Sequence, residues 1–224
     1  MKNQLLILFL ATASLTFFAC ANAPEGEKVE TGEATETTAD SDMTGVSVYT
    51  VSTDASQIAW NASKVGGKHN GTIGIAEGSL QVKENQLVGG EFVIDATSIT
   101  VLDLEGENKM KLEGHLSSGD FFEAGTYPTG NFVITSVEVA EGNEEGITHY
   151  VTGNLTLKGV AKSVKLPAMV SMQDGSIQAK TLPFTINRTE WGINYGSGVI
   201  GTAKDKIIHD EVGLSISLMA TANM

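Results

Sequence analysis

The chain has 224 residues, with 14 Lys and Arg against 27 Asp and Glu, a net charge of -13. Such acidity disfavours a nucleic-acid partner and basic steering to an anionic membrane surface, both of which need the opposite field. Solubility accounts for most of it, and the length allows one sizeable domain with appendages.

Residues 1–19 read as an export signal, with Lys2 as the positive n-region and an apolar h-region over 5–11. That stretch falls short of the roughly 20 apolar residues a spanning helix needs. Ala19 directly precedes Cys20, the only cysteine of the chain. A small residue before a lone cysteine resembles a bacterial lipobox, in which Cys20 becomes the lipid-modified N-terminus. Phe17 and Phe18 stand where Leu and a smaller residue are usual. The alternative is an ordinary secretory signal that leaves a free thiol. The lipobox reading places the protein in the bacterial cell envelope, in the periplasm or on the outer membrane, with a lipid anchor as its membrane contact.

Residues 20–45 follow as anchor and linker. Positions 21–45 hold seven acids, one lysine and no aromatic residue, so they are expected to be a disordered, self-repelling tether that holds the domain 46–224 away from a membrane.

From 46 onward the chain is dense in short alternating runs. Val48 and Tyr49 belong to the first, Ile58, Trp60 and Ala62 share a face of the second, and Ile73 and Ile75 a face of the third. Phe92 and Ile94 share a face of the next, with later runs at 132–139, 147–157, 164–172, 176–187 and 212–220. Turns are expected at Gly66-Gly67, Gly89-Gly90, Gly142-Asn143 and Asp174-Gly175. The clearest pattern is 153–167, where Leu155 and Leu157 alternate with polar residues, Lys158-Gly159 breaks the run, and Val164 and Leu166 resume it. That is an antiparallel hairpin. About nine short strands with Gly-rich turns indicate an all-β barrel or sandwich. One departure, 102–116, has Leu104, Met110, Leu112 and Leu116 among charges and reads as a short helix.

Enzyme signatures are weak. His69, His115, His149 and His209 lack metal-ligand spacing, and His209 beside Asp210 and Glu211 is the best local cluster. His115 near Ser117 and Ser118 has no nucleophile elbow. Gly196, Gly198 and Gly201 satisfy G-x-G-x-x-G, but in a β-rich context that reads as a loop. No catalytic residue, metal or cofactor is assigned.

Several motifs then match one family in order. The run His115-Leu116-Ser117-Ser118-Gly119-Asp120-Phe121-Phe122, with Tyr127-Pro128 and Phe132 after it, resembles the HL-x-S-x-DFF signature of the YceI-like proteins. The hairpin at 153–167, the segment Ile186-Asn187-Arg188-Thr189-Glu190-Trp191-Gly192-Ile193, and Asp210-Glu211-Val212 resemble further segments of that family. Asn70-Gly71 matches less specifically. The resemblance implies an antiparallel, lipocalin-like β-barrel of about eight strands with an apolar interior, and exported proteins of which some hold polyisoprenoid or fatty-acid-like chains. The lipid-anchor cysteine and acidic tether are departures from it.

On that reading the expected function is binding or carrying a long apolar molecule, an isoprenoid or fatty-acyl chain, with no bond chemistry. The alternative is a structural or stress-related envelope protein with a filled barrel that acts through its surface. Candidate lining residues are Trp60, Ile73, Phe92, Phe132, Leu155, Phe184 and Trp191, each also explicable as plain core. Phe121 and Phe122 are candidates for a lid or for pinned loop residues. Arg188, the only arginine, is a candidate for a head-group contact or for a structural ion pair with Asp120 or Glu190. The oligomeric state is left open, a dimer being compatible.

Overall fold

The structure, a computed structural model, describes residues 24–36, 43–141, 146–198 and 202–222. Its strands are β1 (Glu27–Lys28), β2 (Thr31–Glu33), β3 (Val46–Val51), β4 (Gln57–Lys64), β5 (Gly67–Lys83), β6 (Gln86–Val101), β7 (Thr129–Val139), β8 (His149–Leu157), β9 (Val160–Gln173), β10 (Ser176–Thr181), β11 (Phe184–Asn187) and β12 (Glu211–Ala222), with the α-helix α1 (Gly106–Ser117) between β6 and β7.

Eight strands form a closed antiparallel ring in the order β4, β5, β6, β7, β8, β9, β10, β12, and β12 pairs back onto β4. This is the expected all-β barrel with one helix. The period-two alternation turns one residue in two inward, and Ile58, Ile73, Phe92, Phe132, Leu155 and Leu166 are all buried in the core.

The hairpin at 153–167 is the junction of β8 and β9, turned by Lys158 and Gly159 at φ 47° and 75°. Asp174 and Gly175 turn β9 into β10 at φ 51° and 74°. Gly89-Gly90 proves not to be a turn. Both residues lie inside β6, and Glu84-Asn85 makes the bend at φ 52° and 63°. A Cβ at Gly90 would lie 2.5 Å from the Ser79 carbonyl oxygen, so close approach of the paired strands explains the glycine there. Gly142-Asn143 lies outside the described residues.

Two wall positions are occupied by a broken strand. Between β5 and β12, β3 covers one stretch and β4 the rest, joined by a short 3-10 turn at Thr53–Ala55, and each pairs with both neighbours. Beside β12, β10 and β11 are separated by Leu182 and Pro183. β10 pairs with both β9 and β12, whereas β11 pairs only with β12 among the ring strands. A seam therefore runs between β11 and the first half of β9.

That seam is closed by residues expected to be disordered. β1 pairs in parallel with β11, placing Glu27 against Phe184 and Lys28 against Thr185. β2 pairs antiparallel with β9, placing Thr31 against Val164 and Glu33 against Lys162. Val29 between them is 7% exposed and belongs to the core. The acidic composition is compatible with order here because main-chain pairing and one apolar side chain do the holding. Gly26, at φ 128°, lets the chain approach: a Cβ there would lie 2.6 Å from the Phe184 nitrogen.

Candidate functional site

Inward-facing residues of the ring enclose a cavity of about 210 Å³ whose lining presents only apolar surface. An apolar cavity of about 150 Å³ is already large enough to stay dry and take up benzene. Trp60, Ile73, Phe92, Phe132, Leu155 and Phe184 line this one, as do Phe121 and Phe122. Phe92 and Phe132 stack across β6 and β7 with ring centroids 6.3 Å apart.

Glycines on the same faces accommodate these rings. A Cβ at Gly71 would meet the Trp60 ring at 2.6 Å, one at Gly78 the Phe92 ring at 2.7 Å, and one at Gly153 the Phe132 ring at 2.4 Å. Much of the space that Gly-rich strands release is thus filled by aromatic side chains, and the cavity is what remains. The Trp60 Nε1 is buried there without a hydrogen-bond partner. An unsatisfied buried donor costs about 1–3 kcal/mol.

One end is closed by α1 and the turn after it. Glu113 Oε1 accepts from the Val101 backbone N–H at 2.9 Å, which fixes the helix on β6. Leu116 of α1 lines the cavity beside Phe121 and Phe122. The Phe121 ring meets His115 edge-on at 5.1 Å and Tyr195 at 5.4 Å, and His115 Nε2 lies 2.9 Å from Asp120 Oδ2. His115 is therefore an aromatic and hydrogen-bond partner within a plug. The Ser118 hydroxyl donates to the His115 backbone oxygen, away from the imidazole nitrogens, so no nucleophile–base pair is assembled. At the start of the α1 connection, burial alone would raise the Asp103 carboxyl. Hydrogen bonds from the Asn70 N–H and from His69 Nδ1 at 2.8 Å outweigh it and hold that group below its ordinary range.

Arg188, 4% exposed, lies at the same end of the barrel as α1, in a segment whose Tyr195 packs edge-on against His115 with ring centroids 4.8 Å apart. Its Nε donates to the His209 carbonyl at 3.1 Å and Nη1 to the Ile193 carbonyl at 2.7 Å. Nη2 donates to the Ile208 carbonyl at 3.2 Å and to Asp210 Oδ1 at 3.3 Å. Burial lowers the guanidinium pKa, and the Asp210 charge offsets part of that. The ion-pair partner is thus Asp210 rather than Asp120 or Glu190. Asp120 is taken by His115, Glu190 accepts from Thr31, and the Arg188 backbone N–H pairs with the Asp210 carbonyl, which sets the two residues side by side. Arg188 still contributes to the cavity lining, but each of its three side-chain nitrogens already donates to a protein oxygen.

Trp191 is a correction. It is fully buried, but it does not line the cavity. It sits in the 3-10 turn Arg188–Trp191, where its Nε1 donates to the Leu155 carbonyl at 2.9 Å. Residues missed as lining include Ile75, Ile94, Ile134, Val151, Val164 and Ile186. They lie on the same alternating faces as the aromatic residues and carried the same signal. Among the described residues no three His, Cys, Asp or Glu side chains converge to hold a metal, and no helix is long and apolar enough to cross a membrane.

A model of the YceI-like domain matches residues 49–220. A UPF0312 protein of Pseudomonas fluorescens is 40% identical over 62 residues, 27% of this chain and 31% of the relative. One from Pseudomonas paraeruginosa is 44% identical over 61 residues, 27% of this chain and 29% of the relative. The matched stretch thus spans under a third of these relatives. Among solved structures, Burkholderia cenocepacia BcnA superposes with a TM-score of 0.61 at 24% identity, covering 76% of this chain and 99% of that one. A polyisoprenoid binding domain from Saccharophagus degradans, implicated in plant cell wall breakdown, superposes with a TM-score of 0.56 at 15% identity, covering 78% and 98%. At these identities the likeness establishes the fold.

Proposed function

The chain belongs to the YceI-like domain family, and from that premise we propose that it binds or carries a long apolar molecule, of isoprenoid or fatty-acyl type, inside its barrel and performs no bond chemistry. The observation that carries this reading is a cavity whose lining presents only apolar surface, closed at the α1 end by residues whose polar groups are paired. Each methylene moved from water into such a lumen gains about 0.8 kcal/mol, of which chain immobilisation returns a part. A similar fold described as a polyisoprenoid binding domain supports the class.

Native mass spectrometry and lipid extraction of the purified protein test this. The expected result is a co-purifying hydrophobe that is lost in Ala168→Phe, which adds a ring to the lining, while the barrel stays folded. Repeated absence of a hydrophobe from the parent protein would sink the reading and favour a barrel that acts through its surface.

Cys20 lies outside the described residues, and we propose it as the lipid attachment point of an envelope protein. Cys20→Ser should move the protein from the membrane to the soluble fraction; unchanged membrane association would rule the anchor out.

A further inference from the structure

Residues 25–35 lie across the seam as a strap, and their attachments fall on both banks. On the β11 and β12 side, Glu27 N donates to the Pro183 carbonyl and Val29 N to the Thr185 carbonyl at 3.1 Å. Glu25 N reaches the Asn61 side chain, and Lys28 pairs with Glu211 at 3.5 Å. On the β8 and β9 side, Lys162 Nζ meets Glu33 Oε1 at 2.9 Å, and the Asn154 side chain makes two hydrogen bonds to the Thr35 backbone. Thr31 also donates to Glu190.

The residues under the strap are cavity residues. Val164 on one bank and Phe184 and Ile186 on the other line the cavity, and they are paired with or adjacent to the strap positions Thr31, Glu27 and Lys28. Thr185 points to the opposite face from these neighbours and is 4% exposed, with Lys28 paired beside it and the Val29 N–H on its carbonyl. Without the strap, β11 and the first half of β9 would each present an unpaired edge, and the slit between them would open onto the lumen. Only five strap residues pair as strand, and the flanking ion pairs are exposed, which makes this the part of the wall that opens at least cost. The segment also lies wholly outside the family match at 49–220.

We propose that the strap is a lateral gate: the apolar ligand enters and leaves through the seam between β9 and β11 when residues 27–33 lift away, and Val29 is the plug that closes it. The proposal rests on the ligand-binding reading above. One alternative path lies past Phe121 and Phe122, where α1 and its turn are tied down by Glu113 and by the His115, Phe121 and Tyr195 cluster.

A disulfide tests it. Gly32 is paired with Ser163, and a Cβ at Gly32 would lie 3.9 Å from the Ser163 Cβ, inside the disulfide range of about 3.5–4.5 Å. The double variant Gly32→Cys/Ser163→Cys, in a full chain also carrying Cys20→Ser, locks the strap when oxidised and frees it when reduced. The probe is diphenylhexatriene, an apolar rod that fluoresces once out of water. Oxidation is expected to slow its uptake and release by about tenfold or more at unchanged final signal, with reduction restoring both. Val29→Asp should speed release instead. Equal rates in the oxidised and reduced forms overturn the gate. So does a folded barrel whose two thiols fail to join, since Gly32 and Ser163 would then not be paired. Absence of probe binding by the reduced protein overturns the ligand reading itself, and the gate with it.

Discussion

The two broken strands of the wall solve the same problem differently. At β3 and β4 the break is sealed within the family domain, because each half pairs with β5 on one side and β12 on the other. At β10 and β11 it is not. Pro183 has no N–H to offer a ladder, and β11 leads directly into the 3-10 turn that places Arg188, so it stays with β12 and leaves β9. A break sealed on both edges shares the stability of the whole barrel, whereas one closed by an added strand can open while the barrel stays folded.

The largest expected effect tests what fixes β11 to the loop that leads into β12. Arg188→Ala removes a buried cation from Asp210 and three carbonyls, and should cost about 3–5 kcal/mol in urea unfolding. A loss within the range of surface substitutions would show that Arg188 does not hold β11 to that loop. A matched pair of substitutions then contrasts the two breaks directly. Val51 of β3 is 4% exposed and Val29 of the strap 7%. Val51→Ala should lower global stability by about 1–3 kcal/mol. Val29→Ala should leave the midpoint within about 0.5 kcal/mol and instead speed amide exchange of residues 27–33. Equal midpoint shifts would erase the distinction between the two closures.

The smallest effect is pH. The hydrogen bond from Lys162, and then its charge, hold the Glu33 carboxyl below its ordinary value of 4.5, and the same pair holds Lys162 above 10.5. The contribution of the pair is therefore complete between those two values. It is lost as pH falls through the lowered Glu33 value, or rises through the raised Lys162 value. Strap exchange, corrected for its intrinsic pH dependence, should be flat across neutral pH and faster below 4.5. An exchange rate that stays flat to well below that value would remove the ion pair from the closure.

The wall was legible because its signal is local. Two-residue alternation around Leu155 and around Phe92 specifies which faces turn inward, and the aromatic lining follows from it. Trp191 carries no such signal. In a turn, nothing in the neighbouring residues tells a ring that faces the lumen from one that packs behind it, and only the Leu155 carbonyl decides. The Arg188 partner was hidden for a similar reason: Asp210 is distant in sequence and meets it only because β11 and β12 pair. The strap was missed because composition averages over 21–45, whereas its order depends on one valine and a pair of open strand edges made elsewhere in the chain.

The strap also sets a leash length. If Cys20 carries the lipid proposed above, only five Cα-to-Cα steps separate it from Glu25, where the docked segment meets Asn61. A fully extended chain of that length reaches no more than about 18 Å, so the docked strap holds the seam close against the bilayer. Once lifted, the strap lengthens the tether to the 26 residues ahead of Val46, a reach of up to about 90 Å. One short segment would then govern both whether the barrel is open and how far from the membrane it can travel.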